Sequence, residues 1–129
     1  MDFNIQAKDN KLLIRVKPCE KSNVELFCIQ YKTYLNDAKH NKKKLKVLFD
    51  LRLASINSMI ECRPRLQPFF SQEIQKLSEE SLESSIVVVP NQVVEQTIRM
   101  IFNLCPGSVP TIFTTTFPGN RSTNPETGG

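Results

Sequence analysis

The run Ile86-Val87-Val88-Val89 is the feature that most restricts what this chain can fold into. Its three consecutive valines favour extended structure, because β-branched side chains pack well on a pleated sheet. A second continuous apolar run spans Lys46–Leu51 and ends in Asp50-Leu51. Strands that are apolar throughout, rather than alternating, are typical of the middle of a parallel sheet. We therefore expect two central strands that are covered on both faces.

The N-terminal segment has the alternating pattern of a β-hairpin. Polar and apolar residues alternate on either side of Asp9-Asn10, a pair that is typical of turns. The apolar positions are Phe3, Ile5 and Ala7 before the turn, and Leu12, Ile14 and Val16 after it.

Helical patterns separate the predicted strands. Ser22 and Glu25 have the spacing of a capping box and predict the start of a first helix. Pro64 and Pro68 predict that a second helix begins near one of them, because proline is favoured in a first helical turn. The apolar positions at helical spacing are Val24, Phe27, Cys28, Tyr31, Leu35 and Ala38 in the first helix, and Leu66, Phe70, Ile74 and Leu77 in the second.

A third helix and a last strand follow the valine run. Asn91 predicts the helix cap, Pro106-Gly107 its end, and Thr111–Thr116 the strand. The apolar positions of this helix are Val94, Ile98, Ile101, Phe102 and Cys105.

The resulting order of elements is β-β-α-β-α-β-α-β. Such alternation predicts an α/β fold whose central strands are parallel and joined by right-handed crossovers. We expect one domain over residues 1–117, with a mixed, mainly parallel sheet and the N-terminal hairpin as its antiparallel edge. Residues 118–129 contain three Gly, two Pro and no apolar residue, which predicts a flexible tail.

Composition excludes several kinds of function. The sequence has four Gly and contains neither GxGxxG nor GxxxxGK[ST], so nucleotide sites of those two kinds are absent. It has one histidine, His40, and no CxxC or HxxxH spacing, so we expect no catalytic residue, metal or cofactor.

The sequence shows no signal peptide pattern and no apolar run of about 20 residues, which predicts a cytoplasmic protein without a membrane span. Its thiols are then expected to be reduced and buried; they are Cys19, Cys28, Cys62 and Cys105.

Positive charge is concentrated near the end of the first predicted helix. The chain has a net charge of +4, and residues 1–46 hold eleven Lys or Arg against five Asp or Glu. A lysine-rich helix end is typically solvated and suits the negative end of the helix dipole. The alternative is non-specific binding of nucleic acid or another anion. The candidate residues are Lys39, Lys42, Lys43, Lys44 and Lys46.

Asp50 allows two interpretations. An acid at the carboxyl end of a central parallel strand lies where α/β folds bind ligands, so a small-molecule or enzyme site around Asp50, Asn91 and Thr114 is one alternative. The other is that Asp50 accepts backbone N–H bonds in the loop that follows, as aspartate does in turns.

The segment Asp50–Met59 and the predicted topology together resemble STAS domains, the fold of anti-sigma-factor antagonists and of the cytoplasmic part of sulfate transporters. Members of that family pair an N-terminal hairpin with a helix. A strand ending in Asp-Leu follows, and then a loop ending in an Ile-Asp-Ser-like motif at a helix start. Here Val47–Leu51 matches the strand and Ile56-Asn57-Ser58 matches the motif, with Asn57 in place of the acid. The resemblance covers about residues 3–116.

The resemblance implies a non-catalytic regulatory module that binds a protein partner. In the anti-sigma-factor antagonists the serine of this motif is phosphorylated by a partner kinase, which implies phosphorylation of Ser58. Pro64 and Pro68 argue against an uninterrupted helix beginning at Ser58.

We expect the contact surface on the loop Arg52–Arg63 and the helix start. Ile56, Met59 and Ile60 are candidate apolar anchors, and Arg52, Arg63 and Arg65 suit an acidic partner. Assembly with further copies of the chain stays open. The predicted partner-binding residues are Arg52, Ser55, Ile56, Asn57, Ser58, Met59 and Arg63.

Overall fold

A computed structural model describes residues 1–18, 21–102 and 109–117 of the chain. Within them the strands are β1 (Asp2–Lys8), β2 (Lys11–Lys17), β3 (Leu45–Asp50), β4 (Leu82–Val88) and β5 (Thr111–Thr114). The helices are α1 (Val24–His40), α2 (Ile56–Pro68), α3 (Gln75–Ser81) and α4 (Gln92–Phe102), with a π-helical turn, Phe69–Glu73, between α2 and α3. The predicted tail, residues 118–129, lies outside the described residues, as do Cys19, Cys105, Pro106 and Gly107.

The predicted hairpin is confirmed. β1 and β2 pair antiparallel from Asp2↔Lys17 to Lys8↔Lys11. Asp9 and Asn10 form the two-residue turn with φ angles of 51° and 63°, in the left-handed region. Asn and Asp tolerate that region better than most residues, and the twist of such a turn matches that of the strands.

The remaining strands extend this hairpin into a mixed sheet. β2, β3, β4 and β5 pair parallel to one another, and the spatial order is β1-β2-β3-β4-β5. The predicted α/β class with a mixed, mainly parallel sheet is therefore confirmed. Between β3 and β4, where the sequence predicted one helix, the chain forms α2, the π-helical turn and α3.

The helices lie in one layer, on one face of the sheet. α1 packs beside α2 and α3, and α2 packs beside α4. Strand order that follows chain order, with right-handed crossovers, carries every helix to the same side. The described helices therefore cover only one face of the central strands, and alternate residues of the continuous apolar runs lie on the other face. Val88 and Asp50 are nevertheless buried on that second face, so the expectation of cover on both faces fails for the helices but not for every residue.

Aromatic side chains fill the layer between sheet and helices. Phe27 and Tyr31 of α1 stack with ring centroids 5.5 Å apart, and Phe27 stacks on Phe3 of β1 at 4.4 Å. Phe69 of the π-helical turn lies 6.4 Å from Phe27, and Phe49 of β3 lies 5.9 Å from Tyr31. This cluster joins the hairpin, α1 and the π-helical turn into one core.

The start of α2 differs from the prediction. Pro64 and Pro68 lie inside the helix, which begins eight residues before Pro64, at Ile56. Proline lacks the N–H of an interior helical bond, so neither residue continues the ladder. The side chain of Ser55 caps the helix start instead, and the π-helical turn begins directly after Pro68.

The predicted capping box of α1 does not form. The N-cap is Asn23, and its side chain bonds the backbone N–H and carbonyl of Phe3, at 2.8 and 2.9 Å. Glu25 accepts a 2.7 Å bond from Arg65 of α2. The box therefore fails at both of its groups: Ser22 Oγ accepts a 3.3 Å bond from the N–H of Val24, and the Glu25 carboxylate is bonded by Arg65.

We expect Phe69→Ala to lower the free energy of unfolding by about 3–5 kcal/mol, because it opens a cavity among fully buried aromatic side chains. Urea denaturation followed by circular dichroism measures this. Ile29→Ala, at an exposed position of α1, should stay within about 0.5 kcal/mol of the wild type. Similar losses of stability from both variants would contradict the burial of Phe69 in the aromatic core and the exposure of Ile29.

Candidate functional site

The candidate site lies at the edge of the sheet where the parallel strands end. β3 ends at Asp50 and leads through residues 51–55 into α2, and β4 leads through residues 89–91 into α4. Each of these helices begins just after the carboxyl end of a parallel strand, so both helix N-termini lie at this edge. The two helices are also neighbours. Ligands and partners of open α/β sheets commonly bind at such an edge.

Asp50 anchors the loop that follows it. Its carboxylate accepts two bonds from the Arg52 guanidinium, from Nε to Oδ1 and from Nη2 to Oδ2, both 2.9 Å long. Oδ1 also accepts a 3.3 Å bond from the backbone N–H of Arg52, and Arg15 Nε lies 3.9 Å from Oδ2. The hydrogen bonds from Arg52 hold the pKa of this nearly buried carboxyl below its usual value, although burial alone would raise it.

The polar groups of the alternative ligand site are engaged in local bonds. The side chain of Asn91 accepts a 3.0 Å bond from the N–H of Val94, as an N-cap does. The hydroxyl of Thr114 accepts a 3.1 Å bond from the N–H of Thr116. Asp50 is occupied by Arg52. The structure thus gives each of the three residues a role in holding a turn or a helix start.

The first turn of α2 presents two serines. Ser55 Oγ accepts a 3.1 Å bond from the N–H of Ser58 and donates a 2.9 Å bond to Ser58 Oγ. Ser55 is exposed and Ser58 is half-buried. The turn contains no acidic residue, so the positive end of the helix dipole has no carboxylate of α2 beside it.

The predicted partner-binding residues differ in accessibility. Arg52, Ser55 and Asn57 are exposed, and Ile56, Ser58 and Arg63 are half-buried, with Arg63 Nε donating to Gln67 Oε1 at 3.2 Å. Met59 is only 3% exposed and belongs to the core, so it contributes no anchor. Ile60, one residue on, is 52% exposed. Residues one position apart on a helix point about 100° apart, which separates the two.

The five lysines of the predicted anion-binding site have different surroundings in the structure. Lys39 pairs with Glu80 at 3.1 Å and Lys46 with Glu83 at 3.4 Å. Lys44 Nζ donates to the carbonyl of Glu79 at 3.0 Å. Lys42 and Lys43 are exposed. Three of the five candidate cations therefore contact α3 or the start of β4.

Cysteine and metal chemistry gain no support from the described part of the chain. Cys28 and Cys62 are free and buried there, and burial raises the pKa of the Cys28 thiol to about 11, which keeps it protonated and unreactive. The described residues contain no group of three or more His, Cys, Asp or Glu placed to hold a metal ion. Among the described helices, none has the length and apolar character needed to span a membrane.

Sequence reasoning missed two exposed apolar residues at this edge. Leu53, in the loop, is 63% exposed and Val93, in the first turn of α4, is 61% exposed. The sequence signals that could have indicated them are weak. Leu53 is a leucine outside any periodic run, and Val93 is a valine beside the apolar stripe that begins at Val94. Both are accessible apolar residues at the edge of the sheet where α2 and α4 begin.

Comparisons with known proteins return no relative: no protein-family model matches the chain, and neither does any curated protein or solved structure.

We expect Asp50→Asn to lower the free energy of unfolding at pH 7 by about 1 kcal/mol, a modest value because Arg52 is partly exposed. The folded-state pKa of Asp50 is lowered, so its contribution is present above the unfolded value of about 3.9 and is lost as the pH falls through the folded value. The difference between variant and wild type should therefore shrink below about pH 4. Urea denaturation between pH 7 and pH 3 tests this, with Asp37→Asn as an exposed control.

We expect Ser55→Ala to cost about 1 kcal/mol of stability, because it removes the N-cap acceptor of α2. Ser58→Ala removes no backbone partner and should change stability by less than about 0.5 kcal/mol. Thermal unfolding of the two variants distinguishes the capping serine from the other one. An equal loss from both would show that Ser58 also holds the helix start.

Proposed function

We propose that this chain is a non-catalytic regulatory module of the STAS type, which binds a protein partner through residues 51–55 and the start of α2. Phosphorylation of Ser58 is the proposed switch. The observation that carries the proposal is the position of Ser58, a partly accessible hydroxyl in the first turn of the helix that follows the Asp50-Leu51 strand end.

The order of the elements around Ser58 supports the proposal. The resemblance implies a hairpin followed by a helix, then a strand ending in Asp-Leu, and then a helix that begins at the Ile-Asp-Ser-like motif. In this chain β1 and β2 precede α1, β3 ends at Asp50, and Ile56-Asn57-Ser58 forms the first turn of α2. Pro64 and Pro68 do not displace that helix start.

The chemistry of the turn is suited to a phosphate. A phosphoserine carries about −1.5 to −2 charges, which a helix N-terminus tolerates. The hydroxyl of Ser55 already bonds Ser58 Oγ and is placed to donate to a phosphate there. In a dry interface the same charge would be costly to desolvate. Phosphorylation would therefore leave the fold intact and weaken partner binding.

The anchors of the proposed contact are the exposed apolar residues around that turn. Leu53 lies before α2, Ile60 on it, and Val93 at the start of the neighbouring α4. The cations contribute less than the sequence suggested, since Arg52 is paired with Asp50 and Arg65 with Glu25. A mainly apolar contact with Ser58 at its margin fits this arrangement.

We expect phosphorylation at Ser58 to control partner capture. The tagged full chain is purified from its native cells as wild type, Ser58→Ala and Ser58→Asp, with quantitative mass spectrometry of prey and of bait phosphate. A partner retained by Ser58→Ala should be lost at least tenfold by Ser58→Asp, because the added charge resists burial. Phosphate should be found on Ser58 of the wild type.

Leu53→Lys and Ile29→Lys form the matched pair for the surface. Both positions are 63% exposed, Leu53 in the loop and Ile29 on α1, so the pair separates loss of the site from a general effect of added charge. Leu53→Lys should abolish capture and Ile29→Lys should preserve it. Capture that Ser58→Asp and Leu53→Lys leave unchanged would refute the proposed function.

A further inference from the structure

The face of the sheet opposite the helices carries a continuous apolar row. Leu13 of β2 pairs in register with Leu48 of β3, Leu48 with Ile86 of β4, and Ile86 with Ile112 of β5. Residues paired in register point to the same face, so these four side chains lie side by side across four strands. We call them the open-face row.

The open-face row is accessible and is separate from the core. Ile112 is 62% exposed, and the other three side chains are half-buried. None of the four packs against the aromatic core, whose strand residues, such as Ile14, Phe49 and Val87, point to the helical side. Aligned apolar side chains that fill no core are typical of an interaction surface.

A row of lysines borders the open-face row. Lys8 pairs in register with Lys11, and Lys11 with Lys46, on the same face and two residues from Leu13 and Leu48. Like charges directly opposite each other on neighbouring strands are destabilising. Within the described residues only Lys46 has an acidic partner, Glu83 at 3.4 Å. Lys8 and Lys11 therefore present positive charge that no described carboxylate balances.

The other border of the open-face row consists of paired or buried side chains. Arg15, Asp50, Val88 and Thr114 pair in register there. Asp50 is held by Arg52, and Val88 is fully buried. The surface is thus apolar along its middle. Lys8 and Lys11, which have no described acidic partner, lie along one side, and Arg15 and Arg52 lie beside the Asp50 carboxylate along the other.

We propose that the open face binds an acidic amphipathic helix of a partner protein, with its apolar stripe on the open-face row and its carboxylates toward Lys8, Lys11 and Lys46. Three strand spacings of about 4.8 Å make the row about 14 Å long. A helix of three turns is about 16 Å long and shows apolar residues at i, i+3, i+4 and i+7 over that distance. Carboxylates flanking the stripe would relieve the repulsion among the lysines.

Charge and composition favour this occupant. Single-stranded nucleic acid needs aromatic side chains on which its bases stack, and the phenylalanines of the described strands, Phe3, Phe49 and Phe113, point to the helical face. A second copy of the open face would bring the same uncompensated lysines. The surface is independent of the one around Ser58, so either proposal can fail alone.

A peptide selection experiment identifies the kind of helix that the open face binds. A phage-displayed library of random 18-residue peptides is panned on the full 129-residue chain, after removal of phage that bind Leu48→Lys. Enriched peptides should have apolar residues at i, i+3, i+4 and i+7 flanked by Asp or Glu. Enrichment of basic or unpatterned peptides, or no enrichment, would overturn the proposal.

Charge variants then test the binding mode of the enriched consensus peptide by fluorescence anisotropy. Lys8→Glu with Lys11→Glu should weaken binding at least tenfold, whereas Lys76→Glu, an exposed control on α3, should leave it within twofold. Ile112→Glu should abolish binding and Ile29→Glu should not. Equal effects of test and control variants would overturn the proposal. So would stronger binding of the chain to 30% phosphatidylserine vesicles or to 20-nucleotide oligo(dT) than to the peptide.

Discussion

The order of the strands governs the rest of this structure. Because β2, β3, β4 and β5 follow one another in space as they do along the chain, each right-handed crossover brings its helix to the same side. The sheet therefore has one face against α1, α2, α3 and α4, where the aromatic core forms, and one face that no described helix covers. Both candidate interaction surfaces are consequences of this arrangement.

The ion pair between Asp50 and Arg52 links the sheet to the first of these surfaces. Asp50 ends a central strand, and its bonds to the backbone and guanidinium of Arg52 hold the first residues of the loop in place. Ser55 then caps α2 and sets Ser58 in its first turn. An acid that could have marked a ligand site thus orients the surface on which the proposed switch depends.

Local patterns predicted the elements whose stabilising contacts are near in sequence. The Asp9-Asn10 turn and the cap at Asn91 depend on groups at most a few residues away. The predicted start of α2 is wrong, because Pro64 and Pro68 have the pattern of a first helical turn but lie inside a helix that begins at Ile56. The box at Ser22 and Glu25 failed because Asn23 bonds Phe3, 20 residues away, and Glu25 bonds Arg65, 40 residues away.

The sequence by itself determined the α/β class, the mixed sheet with its hairpin edge, and the polar groups around Asp50 and Ser58. Strand and helix periodicities are local properties of the chain, so they can be read without a fold. Only the tertiary structure decided which face of each apolar strand is covered, and that Met59 is buried whereas Leu53 and Ile112 are exposed. Burial depends on which elements meet in space, and a continuous run such as Ile86–Val89 has the same sequence whether one face is covered or two.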